Sequence, residues 1–155
     1  MSAFQKILVP TDFSEVSAAA LRCASVLAGP FGSSLTVLHV AEDLMAEANS
    51  AGAGAPWSEG VQAQTEEDAR ARLAQVMTDA GLSGPNVHVE LLVGSPIPEI
   101  LGYAEKRDFD LIVMGTHGRR AIARVLLGSV AECVVRLAPC PVLTVRVCRK
   151  RPAVS

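Results

Sequence analysis

Apolar residues fall into two rhythms along this chain. The first is the short unbroken run. Ile7-Leu8-Val9 and Leu111-Ile112-Val113-Met114 are too short for helices and too continuous for a half-exposed sheet, so they read as buried strands. Leu35, Val37, Leu38 and Val40 predict a further strand over 34–40, in which His39 reads as a satisfied core or pocket-edge histidine. In 87–93 the apolar positions alternate with His88 and Glu90, and in 141–147 Leu143, Val145 and Val147 alternate with Thr144 and Arg146. Both are the pattern of strands at sheet edges. The second rhythm is helical. Ala20, Leu21, Ala24, Leu27 and Ala28 follow N-cap candidates at Asp12 and Ser14 and precede Gly29-Pro30, which is expected to stop the helix. Ala69, Leu73, Val76, Met77 and Ala80 predict a helix from about residue 62 to 80, with Gly81 as C-cap. Ser95 is expected to cap a helix with Pro96 at its first position and Ile97, Ile100, Leu101 and Ala104 on its inner face, and Gly128-Ser129 to open another with Val130, Cys133, Val134 and Leu137 on one face. Residues 42–60 keep neither rhythm. They are rich in Ala, Gly, Ser and Glu, and read as a long mobile loop with room for a helical turn near Leu44, in which Trp57 either anchors the loop to the body or packs as a lid beside the ligand.

Strands alternating with helices predict an α/β fold, a doubly wound five-stranded parallel sheet with helices on both faces. The strands at Ile7 and Leu111 are the most continuously apolar, so they should be central and adjacent. Ligands of such sheets bind outside the carboxyl ends of the strands, where the strand order reverses. That rule brings Pro10-Thr11-Asp12 together with 115–118. One domain over 1–155 is expected, with a core at 4–147, the loop at 42–60 and a tail at 148–155.

Composition narrows the picture. Half of the residues are hydrophobic but only 4% are aromatic, so Ala, Val and Leu must build the core. No apolar run approaches the ~20 residues of a membrane span, which points to a cytoplasmic protein without membrane contact. Cys23, Cys133, Cys140 and Cys148 form no C-x-x-C pair, so no metal site is expected. Residues 1–105 carry a charge balance of −9 and 106–155 one of +7. The positive part holds Arg119, Arg120 and Arg124, a local field suited to an anion. Nucleic acid is not an expected partner, because the whole chain is acidic and has no set of aromatics for base stacking.

The candidate chemistry sits with that positive charge. Gly115-Thr116-His117-Gly118 directly follows a buried strand, and Gly128-Ser129 opens a helix nine residues later. Glycines there let a ligand approach the backbone, and a Gly-Ser helix start offers free N–H groups, a hydroxyl and the positive end of the helix dipole. This arrangement suits a phosphate chain. It is not a P-loop, which needs G-x-x-x-x-G-K-[ST], nor the G-x-G-x-x-G of dinucleotide sites.

The pattern G-x-x-G, nine residues, G-S, then Pro-Val-Leu-Thr-Val, with Ile7-Leu8-Val9-Pro10-Thr11-Asp12 at the start, closely resembles the ATP-binding signature of the universal stress protein family. The resemblance runs from Lys6 to Val147. It implies strand order 3-2-1-4-5 and a homodimer through the C-terminal strand 141–147. It also implies ATP, arriving with Mg²⁺, as the ligand. Pro10, Thr11 and Asp12 would line the adenosine side, with Asp12 near the ribose or a metal, and Val40 would meet adenine through its backbone. Met114 and Gly115 would flank the nucleoside, while Gly118, Arg119, Gly128, Ser129 and Val130 would hold phosphates. Ala131 departs from the family pattern, which often has a hydroxyl residue there. His117, beside the expected phosphates, is counted with the ATP-binding residues, and because no orienting carboxylate is evident no catalytic residue is assigned. The function implied is an ATP-dependent regulatory switch of the stress response with little or no turnover. The alternatives are a slow ATPase or nucleotidyl hydrolase, or an interaction module that binds no nucleotide.

Overall fold

The computed structural model describes residues 3–52, 59–118 and 127–147. The elements run β1 (Lys6–Pro10), α1 (Glu15–Phe31), β2 (Ser34–Ala41), α2 (Leu44–Ser50), α3 (Glu59–Asp79), β3 (Val87–Val93), α4 (Pro96–Lys106), β4 (Leu111–Gly115), α5 (Ser129–Leu137) and β5 (Val142–Val145). They form one five-stranded sheet in the order β3-β2-β1-β4-β5, parallel throughout.

The continuous apolar runs are central because each strand buries both faces. Ile7, Val9, Leu35, Val37, Leu111 and Val113 face α1 and α3, where Leu21, Ala24, Leu73 and Met77 complete one core layer. Leu8, Leu38, Ile112 and Met114 point the other way, against Ile100 and Ala104 of α4 and Val134 of α5. Each fully buried Leu, Ile or Val contributes about 1.5–3 kcal/mol of hydrophobic stabilisation. The edge strands are the two that alternate.

Four local expectations are corrected. Gly29-Pro30 does not stop α1, which continues to Phe31 and ends on Gly32 in the left-handed conformation (φ 62°). A proline disfavours helix in the preceding residue partly through that residue's Cβ, and Gly29 has none. The first part of the 42–60 loop is the helix α2, because Asp43 accepts hydrogen bonds from the backbone of Met45 (3.1 Å) and Ala46 (3.0 Å) and caps a run of good helix formers. Trp57 and the tail 148–155 lie outside the described residues. Ser95 is the N-cap of α4 but makes no side-chain capping bond. In α5 the buried residues are Ala131 (3% exposed) and Val134, with Val130 packed half-buried against the same cluster, whereas Leu137 is 62% exposed. The small Ala131 side chain is packed against the sheet, so this position contributes to the core.

Candidate functional site

The carboxyl ends of β1, β2 and β4 create a notch, and each strand enters it differently. β1 ends first. Its last ladder bond runs from the Thr11 N–H to the Leu38 carbonyl (2.8 Å). β2 continues past that point, and its Ala41 carbonyl accepts from Gly94 N–H on the β3 side (2.9 Å). Backbone groups of successive strand residues point to opposite sides. Leu38 and Val40 therefore face the β1 side, and beyond Thr11 no strand residue meets Val40. Its N–H and C=O consequently open into the notch, with no partner among the described residues. A buried-edge peptide group with both a donor and an acceptor is suited to the edge of a purine ring. Pro10, Val40 and Met114 are all buried around it.

The loop after β1 is held by hydroxyls. Ser17 Oγ donates to the Ser14 carbonyl (2.8 Å), so at the 3.1 Å contact with Thr11 Oγ1 the Thr11 hydroxyl is the donor. Thr11 Oγ1 also accepts from Phe13 N–H (3.1 Å). Thr11 is 7% exposed, and its hydroxyl serves the loop. The carboxylate of Asp12 accepts from Ser14 N–H (3.0 Å) through Oδ1, while Oδ2 reaches towards Gly118: a Cβ on Gly118 would lie 2.6 Å from it. The first and fourth strand loops therefore meet at Asp12 and Gly118. The Gly118 backbone does not enter the left-handed region, so a side chain there is opposed by Asp12 and not by backbone strain.

The two glycine segments are pinned by a residue that sequence reasoning passed over. Thr116 is 3% exposed. Its N–H donates to the Val145 carbonyl (3.0 Å), and its carbonyl accepts from Gly128 N–H (2.6 Å). Its hydroxyl lies 3.0 Å from His117 Nδ1. The N–H of Gly128 is thus used within the protein. The missing side chain of Gly128 lets the start of α5 close onto the loop after β4, since a Cβ would lie 3.3 Å from the Thr116 carbonyl oxygen and 3.4 Å from His117 Cα. Gly128 is the N-cap of α5 and provides no side-chain capping bond. The N–H groups of Ser129, Val130 and Ala131 form the first turn of α5, and the first intrahelical bond is from Glu132 N–H to the Gly128 carbonyl (2.9 Å). These first-turn donors with the helix dipole make an anion site in physical terms. Arg119, Arg120 and Arg124 lie outside the described residues.

Gly115 has a different reason for being glycine. A Cβ there would sit 2.6 Å from Val16 Cγ1 and 3.1 Å from the Val16 carbonyl carbon. It lets α1 close onto β4, and so sets the distance between the two loops of the notch.

Next to the notch, on the α3 side, a cavity of about 400 Å³ is lined by Asp12, Phe13, His39, Val40, Thr65 and Arg72 among others. This is the size range of small-molecule sites. His39 Nδ1 is 2.7 Å from the Thr11 carbonyl. A carbonyl can only accept, so Nδ1 carries the proton. The ring lies tilted against Phe13 (centroids 4.3 Å apart, planes at 38°), and the Arg72 guanidinium carbon lies 4.4 Å from the Phe13 centroid. Phe13 is left-handed (φ 66°), a conformation costing about 1–2 kcal/mol that its contacts with His39 and Arg72 help to offset. The isolated histidine of strand 34–40 was the only sequence signal of this shelf. Phe13 and Arg72 gave none, because their meeting is tertiary.

Burial pushes the Cys140 thiol up in pKa, with the Asp110 carboxylate adding to it, so this cysteine is held as the unreactive thiol. No group of three or more metal-ligating side chains occurs among the described residues. No helix among them is long and apolar enough to cross a membrane.

Residues 3–146 match the universal stress protein family. A universal stress protein of Methanocaldococcus jannaschii, MJ0531, is 38% identical over 148 residues, covering 92% of this chain and 82% of the relative. The solved structure of MJ0577, a second universal stress protein of that organism, superposes with a TM-score of 0.79 at 28% identity, covering 95% of this chain and 99% of the other. A universal stress protein crystallised in complex with cAMP superposes with a TM-score of 0.70 at 26% identity, over 93% and 98% of the two chains. The match spans nearly every described element, from the strand ends that form the notch to the uncapped helix α5. This chain belongs to the universal stress protein family.

Proposed function

We propose that this protein binds ATP, with Mg²⁺, in the notch at the carboxyl ends of β1, β2 and β4, and acts as a nucleotide-dependent switch of the stress response with little turnover. The observation that carries the reading is the pairing of two kinds of backbone groups that have no partner among the described residues. The Val40 N–H and C=O open where β2 outruns β1, and the first turn of α5 opens beside Gly118. One suits a base edge and the other a phosphate chain, with Asp12 between them. A relative that binds cAMP on the same fold supports an adenine nucleotide. The donor set also fits ATP: the first-turn N–H groups of α5 suit phosphate oxygens, Ser129 adds a hydroxyl, and the Asp12 carboxylate would meet a ribose hydroxyl or the metal. Mg²⁺ would be held largely by phosphates and water. The site has no P-loop lysine, which favours retention over rapid transfer. Native mass spectrometry of the purified chain is expected to show intact ATP, and hydrolysis should run on the scale of hours, far below the ~10 s⁻¹ of ordinary enzymes. A rate near one per second would replace the switch with an enzyme.

The same reading includes a homodimer through the C-terminal strand. Thr116 N–H donates to the Val145 carbonyl, so Val145 directs its backbone to β4 and Thr144 directs its own outward. Thr144→Pro, which removes an outward donor, is therefore the appropriate block. Val145→Pro would instead break the sheet's own ladder. Sedimentation is expected to show association of the parent to a dimer or beyond, and loss of the β5 pairing for Thr144→Pro. Parent protein that stays at ~16 kDa at micromolar concentration would rule the dimer out.

A further inference from the structure

We infer that the opposite edge of the sheet, β3, is a second self-association surface, which pairs antiparallel with β3 of a second copy about a two-fold axis through Val89. β3 is the terminal strand of the sheet. Asn86 gives its carbonyl to Leu35 N–H, and Gly94 gives its N–H to the Ala41 carbonyl. Alternation then turns the backbone of His88, Glu90 and Leu92 towards β2, and that of Val89, Leu91 and Val93 to the open edge. Val87 faces the same way, but its N–H is taken by the Gly84 carbonyl (3.2 Å), which leaves only its carbonyl for a neighbour. Val89 is 46% exposed and Val93 37% exposed, so apolar surface accompanies backbone that has no partner among the described residues.

Charge selects the occupant and the register. An axis through Glu90 would set two Glu90 carboxylates against each other, and one through His88 would oppose two imidazoles. An axis through Leu91 would put Glu90 opposite Leu92. Only the axis through Val89 places each His88 opposite Glu90 of the second copy, on both sides of the centre. In that register Val89 meets Val89 as a hydrogen-bonded pair with two reciprocal bonds. Each Leu91 N–H reaches the Val87 carbonyl of the second copy, the one group Val87 has left. His88 and Glu90 then form the close, non-hydrogen-bonded pairs, with Cβ atoms ~4.5–5.5 Å apart, within reach of an imidazole–carboxylate hydrogen bond. Tyr103 already donates to Glu90 Oε2 (3.3 Å) and holds that carboxylate on the strand. The Glu90 charge and burial both raise the Tyr103 pKa, burial more, so the phenol stays a donor. The surface is thus complementary to a second copy of itself. Together with pairing at β5, it would extend the sheet in both directions and give an open-ended assembly instead of a closed dimer.

The test is sedimentation velocity of the full chain over a range of concentrations, with circular dichroism to verify folding. Thr144→Pro closes the β5 edge, and this protein is expected still to form a concentration-dependent dimer. Adding His88→Glu sets like charges opposite each other twice, and is expected to weaken that dimer at least tenfold. Adding Glu90→Lys as well restores opposite charges and should recover most of the association, although the Tyr103 contact is lost. In the parent background, His88→Glu alone should cut species larger than a dimer back to the dimer, a readout that does not depend on the proline variant folding. Thr144→Pro that is folded and monomeric at every concentration would overturn the proposal. So would association indifferent to His88→Glu, or a double charge exchange that fails to restore it.

Discussion

Gly118→Val is expected to weaken ATP binding by on the order of 100-fold, about 2.7 kcal/mol, while the protein stays folded. The first added carbon alone would lie 2.6 Å from Asp12 Oδ2. That carboxylate is short and tied through Oδ1 to Ser14 N–H, so it can give way only by rotating off the start of α1 and out of the notch. The remaining valine methyls would then project where the two loops meet. The fold has little reason to fail. Gly118 is exposed, its backbone is not left-handed, and Ser14 still caps α1 through Ser17 N–H (3.2 Å). Isothermal calorimetry with circular dichroism checks both halves of the expectation.

Gly115→Val should do the reverse and damage the fold first. Here the clash is with Val16, at 2.6 Å from a methyl and 3.1 Å from the backbone, and a helix backbone cannot swing aside as a side chain can. Overpacking of this kind costs ~1–3 kcal/mol, occasionally more. The upper end is expected, because α1 would have to lift off β4 along a core containing Ala20 and Val113. For a chain of this size about 3 kcal/mol lowers the melting temperature by roughly 6–12 °C. Thermal unfolding of Gly115→Ala, alone and with Val16→Ala, tests the cause. The second change removes the nearest methyl and should return part of the lost stability. If it returns none, Gly115 is required for some reason other than its contact with Val16.

These two glycines show what could be read from the chain alone. The strand–helix alternation gave the layers, and the two unbroken apolar runs gave the central strands, because a strand buried on both faces has no polar positions to spare. The meeting of 10–12 with 115–118 followed from the rule for open parallel sheets. The reasons that individual residues are needed did not follow. Gly115 and Gly118 look alike in sequence, yet one is glycine for α1 and the other lies under Asp12. Val40 was named from family resemblance, and its open peptide group depends on how far β2 outruns β1. The outward face of β5 was equally hidden, since alternation of side chains shows which residues face the core but not which N–H groups pair with β4. Helix α2 was missed because seven residues are too few to display a period, although Asp43 before Leu44-Met45-Ala46 was a usable cap signal. Thr116 was hidden for a similar reason, as its partners Gly128 and Val145 are distant in sequence.

The central claim is that phosphates lie between Gly118 and the first turn of α5. Calorimetric titration of ATP with Mg²⁺ into the parent, Gly118→Val, Gly128→Val and Ser129→Ala proteins, each checked by circular dichroism, tests it most directly. Ser129→Ala removes a single hydroxyl, worth ~0.5–1.5 kcal/mol, or up to ~3 kcal/mol for a bond to charged phosphate. The expected result is one ATP per chain for the parent, a modest loss for Ser129→Ala, and a much larger loss for either folded valine variant. Folded Gly118→Val and Gly128→Val proteins that bind ATP as the parent does would place the phosphates elsewhere, and a folded parent that takes up no ATP would contradict the account outright.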